Sequence, residues 1–242
     1  MADQPYRRWV KSELTSFRLQ IEQSDILVSA EGDVREEAEA ALRRVRGELE
    51  EYIARDPEFA TTLEPHIVLP DAPPVAWQMA SAARICGVGP MAAVAGAVAQ
   101  QVGEALLAHS GQVIVENGGD IFLYTGQPRT AAIYAGPSPL SGRVGVQVEV
   151  LNRPVGLCTS SATVGPSLSF GQADAAVILA ESATLADAAA SALGNRVQSQ
   201  DDIAAALEYV QGIPGVWGAL AIIGEHLGAW GQLKLVRVSQ GG

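Results

Sequence analysis

Basic residues are scarce in this chain: 16 Lys and Arg stand against 27 Asp and Glu, for a net charge of -11. Neutralising a phosphate backbone takes clustered Lys and Arg, so this balance argues against a nucleic-acid surface and against anionic membranes. Cysteine is scarcer, with 2 residues, Cys86 and Cys158. Two cysteines do not make a disulfide framework, and a reducing cytosol is the expected compartment. Long apolar runs are missing as well. The longest, Pro90 to Ala99, stops at Gln100 and Gln101, short of the ~20 residues that a spanning helix requires. The opening Met-Ala-Asp-Gln-Pro-Tyr-Arg-Arg-Trp lacks the apolar stretch of a secretion signal. Together these absences predict a soluble, cytoplasmic protein. Histidine is confined to His66, His109 and His226, which are scattered, whereas a histidine-based site needs convergent groups.

What is present is a chain that can fold. Its 242 residues, 48% of them hydrophobic and 18% charged, suffice for a substantial core. Ser16 to Ser29 alternates (Phe17, Leu19, Ile21, then Ile26, Val28) around Gln-Ser-Asp, which predicts two strands and a tight turn. A helix is expected from Asp33, with Ala38, Leu42, Val45, Leu49 and Tyr52 on one face and Arg43, Arg44 and Arg46 on the solvated one. Asp56-Pro57 breaks it. Glu64 to Pro74 is a proline-spaced connector whose His66 reads as structural or solvent-facing.

Val75 to Ala108 is rich in small residues, and Pro90 suits the first turn of a second helix after Gly87-Val88-Gly89. That helix either packs tightly or aims its N-terminus at phosphates. Asn117-Gly118-Gly119 between two β-rich runs is hairpin chemistry. Strands follow at Thr130–Tyr134 and Arg143–Val150, a helix at Ile203–Tyr209, and a closing strand pair at Val216–Ile223 and Gln232–Val238. Strands, then helices, then strands predict an α+β fold, a single compact domain over residues 1–242 with antiparallel sheets against small-residue helices.

Cys158 to Asn195 holds the chemistry. Small hydroxyl residues, Thr159 to Thr163, read as a loop whose backbone N–H groups approach a ligand. Ala175 to Ala180 reads as a buried strand, and a small-residue helix then carries Asp187 and Ser191 four apart, on one face. This combination suggests a nucleotide or phosphate site. With Thr184 as N-cap, Asp187 would fall at N3 and favour the helix dipole, which is its structural alternative. Cys158, with no histidine nearby in sequence, reads as a packed cysteine.

Three stretches together resemble the ApbE family of flavin transferases. Gly87–Leu107 running into Glu116-Asn117-Gly118-Gly119-Asp120 is similar to that family's glycine-containing helix and Asn-x-Gly-Gly-Asp turn. Thr159-Ser160-Ser161 is placed like its Thr-Ser-Gly, and Ala186-Asp187-Ala188-Ala189-Ala190-Ser191 like its Ala-Asp-Ala-x-x-Thr. Val88 to Ala97, Val115 to Ile121 and Ser167-Leu168-Ser169-Phe170-Gly171-Gln172-Ala173-Asp174 are closer still to an uncharacterised short cytoplasmic branch of the superfamily.

The resemblance implies an ApbE-like, T-fold-like domain that binds FAD or another flavin nucleotide with Mg²⁺. Asp187 and Ser191 would be metal ligands. Gly89, Asn117, Gly118, Gly119, Thr159, Ser160, Ser161 and Thr163 would bind cofactor, and Asp120 and Asp174 would do acid/base work. It also implies alternatives: an FMN transferase or FAD pyrophosphatase serving a protein or small-molecule acceptor, and a non-catalytic homo-oligomeric scaffold. The family's older association with thiamine metabolism belongs to the resemblance too. Pro166 replaces a branch histidine, Ala162 a glycine and Ala95 a lysine, and no counterpart of the transferases' His-x-x-Asp-Pro is present.

Overall fold

The computed structural model describes residues 14–163 and 170–238; Met1 to Trp9, Pro166 and Ser167-Leu168-Ser169 lie outside them. Eight strands form one antiparallel sheet in the order β1 (Thr15–Ile21), β2 (Ser24–Ala30), β3 (Val113–Asn117), β4 (Asp120–Tyr124), β7 (Val155–Ser160), β8 (Ala175–Ala180), β9 (Val216–Ile223) and β10 (His226–Gly231). A smaller sheet joins β11 (Lys234–Arg237), β6 (Val144–Val148) and β5 (Arg129–Ala132). The described residues build one compact α+β domain.

The large sheet is covered on both faces, which explains the unbroken apolar reading of β8. Ala176, Ile178 and Ala180 join the core beneath the helices, while Ala175, Val177 and Leu179 join a second core with Val146 and Val148 of the small sheet. On the helical side, α5 (Ala183–Asn195) lies on β7 and β8 and beneath α3 (Pro74–Cys86) and α4 (Val94–Leu106). A helix enclosed on all sides needs small side chains, and Ala183, Ala186, Ala188, Ala189, Ala190 and Ala192 are all buried. Gly156 of β7 completes the fit, since a Cβ there would stand 2.4 Å from the Ser182 carbonyl oxygen and from Ala183 Cα.

The chain bends through 103° between α3 and the turn-plus-helix Pro90–Leu106. Gly87 enters the bend at φ 67° and Pro90 opens a 3-10 turn, Pro90–Ala93, that leads into α4. No single helix among the described residues is long and apolar enough to cross a bilayer. Helix α1 (Arg35–Arg55) buries the expected face and ends before Asp56-Pro57. Arg46 departs from the solvated-face reading. Its guanidinium bonds Glu22, Gln23 and Ser24 of the β1–β2 turn as well as Glu50.

Two sequence expectations give way to the sheet. Thr159 and Ser160 are strand, not loop: β7 pairs Thr159 with Val177 and Ser160 with Ala176. The closing pair is β9 with β10, the glycine-rich segment taken for a connector, while β11 leaves for the small sheet and pairs with β6. Gly228 lets β10 lie under α6 (Ile203–Gln211), where a Cβ would stand 2.4 Å from Ile203 Cγ2.

Candidate functional site

The β3–β4 hairpin turns on Gly118 and Gly119, both at positive φ (68° and 112°), which side chains resist. The Glu116 carboxylate accepts the Gly119 N–H at 2.8 Å and is itself buried. That turn fixes Asp120 at the start of β4, buried on the helical side two residues before Phe122. Its Oδ1 accepts the Thr159 N–H from β7 at 3.3 Å.

Asp187 approaches from the other layer. The N-cap of α5 is Ser182, whose hydroxyl accepts the Leu185 N–H, so Asp187 lies in the second turn rather than at N3. Thr184 donates its hydroxyl to Gln100 instead of capping. Asp187 nonetheless caps a helix, but a different one. Helix α4 starts from Ala93, which has no side-chain acceptor, and the Asp187 carboxylate accepts the Gly96 N–H at 2.8 Å. Such a contact satisfies a first-turn donor and places negative charge at the positive end of α4. Gly96 admits it by having no Cβ, which would stand 2.7 Å from Asp187 Cβ and 2.3 Å from the Ala183 carbonyl oxygen. One helical turn along α5, the Ser191 hydroxyl donates to the Ala92 carbonyl at 3.4 Å.

Electrostatics join the two carboxyls. Burial pushes Asp187 up to about 7, against the N–H groups of Gly96 and Ala95 that pull it down. Asp120 is raised well above the usual carboxylate range, by burial first and by the charge of Asp187 second; the Cys158 thiol and the Thr159 N–H oppose this, and Glu116 adds to it. Both carboxyls are therefore pushed toward the protonated form, and they titrate as a pair. Cys158 is buried, raised by burial and by both acids, and donates its thiol to the Ala183 carbonyl at 3.4 Å. It is packed in the core.

The remaining predicted residues fall around this pair or apart from it. Thr159 and Ser160 end β7, and Ser161 turns inward to receive the Thr163 N–H at 3.1 Å. Asp174 is engaged elsewhere: it accepts the Gly224 N–H at 2.7 Å and the Thr163 hydroxyl at 3.3 Å. Gly89 packs chain against chain, since a Cβ there would stand 2.1 Å from the Thr62 carbonyl oxygen. Asn117 donates its amide to the Ala95 carbonyl at 3.1 Å. The histidines are distant in role: His66 bonds Asp56 at 2.9 Å and His109 lies 4.0 Å from Glu37. Among the described residues no three His, Cys, Asp or Glu gather to hold a metal by themselves. An open cleft of about 350 Å³ lies between Gln100, Phe122, Arg153 and Glu181.

Residues 7–226 match the model of a family described as AbpE bacteria. The chain belongs to that family. Among its relatives is a "UPF0280 protein" of Methanocella arvoryzae, 45% identical over 91% of this chain and 90% of that one. Another, from Methanosarcina barkeri, is 44% identical over 83% and 80%. The fold recurs in the Pseudomonas stutzeri flavinyl transferase ApbE (TM-score 0.58, 13% identity, 90% of this chain and 94% of that one). It recurs also in the Vibrio cholerae flavin transferase ApbE (TM-score 0.59, 12% identity, 91% and 97%). The chain is thus an AbpE-family member that shares the fold of the ApbE structures. Gly96, Glu116 and Cys158, which surround its carboxyl pair, carry no sequence signal beyond lying in or next to the motifs.

Proposed function

We propose that this protein binds FAD or a related phosphorylated cofactor together with Mg²⁺, where the Asn117–Asp120 turn, the start of α4 and the first half of α5 meet. The pairing of Asp120 with Asp187 carries this reading. Two buried carboxyls whose charges act on each other are costly to ionise together, and a proton or a cation relieves that cost. Mg²⁺ suits such a place, because it takes one or two carboxylates and fills its shell with water and substrate phosphates rather than a full protein cage. The donors are of the right kind: Asp187, Ser191 beside it, and the Ala92 carbonyl that Ser191 touches. When bound, the ion would offset the charge of a diphosphate. Gly118 and Gly119, with the end of β7 from Thr159 to Ser161, would border the cofactor. The flavin transferase fold shared with the ApbE structures supports a flavin as its organic part.

A second reading, FMN transfer to an acceptor protein or FAD pyrophosphate cleavage, is favoured by one observation. Burial raises Asp120 well above the usual carboxylate range, which suits acid/base work. Incubation with FAD and Mg²⁺, followed by detection of FMN, AMP or flavinylated protein, tests it; binding without any of these products would contradict it. The binding reading is tested by calorimetry on Asp187→Ala. Mg²⁺-dependent FAD affinity should fall at least ~100-fold, as for loss of a direct ligand. Unchanged Mg²⁺-dependent affinity would remove Asp187 from the metal.

A further inference from the structure

We propose that Asn117 and Gly96 are positioning residues, which hold the Asp187 carboxylate through a single shared peptide group. The proposal deepens the metal reading above and rests on it. The peptide between Ala95 and Gly96 is engaged at both ends. Its carbonyl accepts the Asn117 amide at 3.1 Å and its N–H donates to Asp187 at 2.8 Å. Asn117 therefore reaches Asp187 without touching it, across three elements: β3, α4 and α5. Hydrogen bonds in series polarise one another, so the amide that draws on the Ala95 carbonyl strengthens the Gly96 N–H as a donor. The cap is also the one α4 has, since Ala93 offers no side-chain acceptor. Only a glycine fits at 96 against Ala183 and Asp187.

This arrangement assigns the Asn of the Asn-Gly-Gly-Asp turn a task that its glycines do not share. Gly118 and Gly119 shape the hairpin and so place Asp120, while Asn117 reaches over to the start of α4 and so places Asp187. One four-residue turn thereby sets both carboxyls of the pair. Outer partners of metal-binding side chains are commonly worth 10–100-fold in affinity.

The test is titration of the full chain with Mn²⁺ alone, read from the free-ion EPR signal, alongside the Gly96 amide proton shift in the metal-free protein. Asn117→Ala should weaken Mn²⁺ binding roughly tenfold or more and move the Gly96 resonance upfield. Asn117→Ser, whose side chain is shorter, should do the same and serves if the alanine variant fails to fold. Ser110→Ala, which removes a hydroxyl bonded to Glu31 and Gln112 far from the pair, should lower thermal stability and leave Mn²⁺ affinity alone. Wild-type Mn²⁺ affinity in the Asn117 variants would overturn the positioning role and leave the metal reading standing. A wild-type protein that binds Mn²⁺ no better than Asp187→Ala would overturn both.

Discussion

At the scale of single residues, Asp187 has two tasks that pull on its charge in opposite ways. As the cap of α4 it is best ionised, and as a buried carboxyl it is best neutral. Its carboxyl sits near 7 in the folded chain against 3.8 as a free group. A carboxyl raised by folding binds more protons folded than unfolded between those values, so its contribution to stability is full below about 3.8 and is lost as the pH rises through about 7. The groups lowered by folding, Asp56, Asp71 and Asp202, lose their contribution only as the pH falls through the acid range. Metal-free protein should therefore melt higher at pH 5 than at pH 8, by roughly 2–3 kcal/mol of stability. Asp187→Asn should flatten the difference, as thermal melts in chelator will show. Greater stability at pH 8 without metal would contradict this assignment. The pair was not legible from spacing alone, because 67 positions of chain separate its members and only the family resemblance brought them together.

At the scale of elements, the determining contact is α5 on β7. Gly156→Ala would drive a methyl group into Ser182 and Ala183 at the start of α5, the helix that presents Asp187. Overpacking of this kind costs about 1–3 kcal/mol. Chemical denaturation should show that loss, and calorimetry should show weakened Mg²⁺-dependent binding with it. Retained binding at full stability would mean that α5 has room the structure denies it. Elements with a local cause were legible: the Gly118-Gly119 hairpin from its need for positive φ, α1 from its apolar stripe, β8 from its unbroken apolar run. β7 was missed at its far end because Thr159 and Ser160 are small, polar residues whose strand state comes from pairing with Val177 and Ala176. β10 escapes a local reading because its Gly228 answers to α6 above it, a contact no local pattern records. The N-cap of α5 was placed at Thr184 because Ser182 and Thr184 are both good caps, and Gln100 decides between them from across the fold.

At the scale of the whole molecule, a central sheet is buried between helices and a second sheet. β7, β8 and β9 lie inside both cores, whereas β10 ends the large sheet with its side chains largely outside. Amide exchange should therefore be slowest in β7 to β9 and markedly faster in β10 and β11. Comparable protection throughout would contradict the layering. The carboxyl pair is set where this rigid centre meets the start of α4, so its geometry is fixed by the parts of the fold that open last. On the proposed function, the pair exchanges its proton for a divalent cation that holds a flavin nucleotide. The most direct measurement is calorimetric titration of wild-type protein with FAD near pH 6, with and without Mg²⁺, in two buffers of different ionisation enthalpy. Binding should depend on Mg²⁺ and release a proton as it forms. Binding that is indifferent to Mg²⁺, or absent under both conditions, would contradict it.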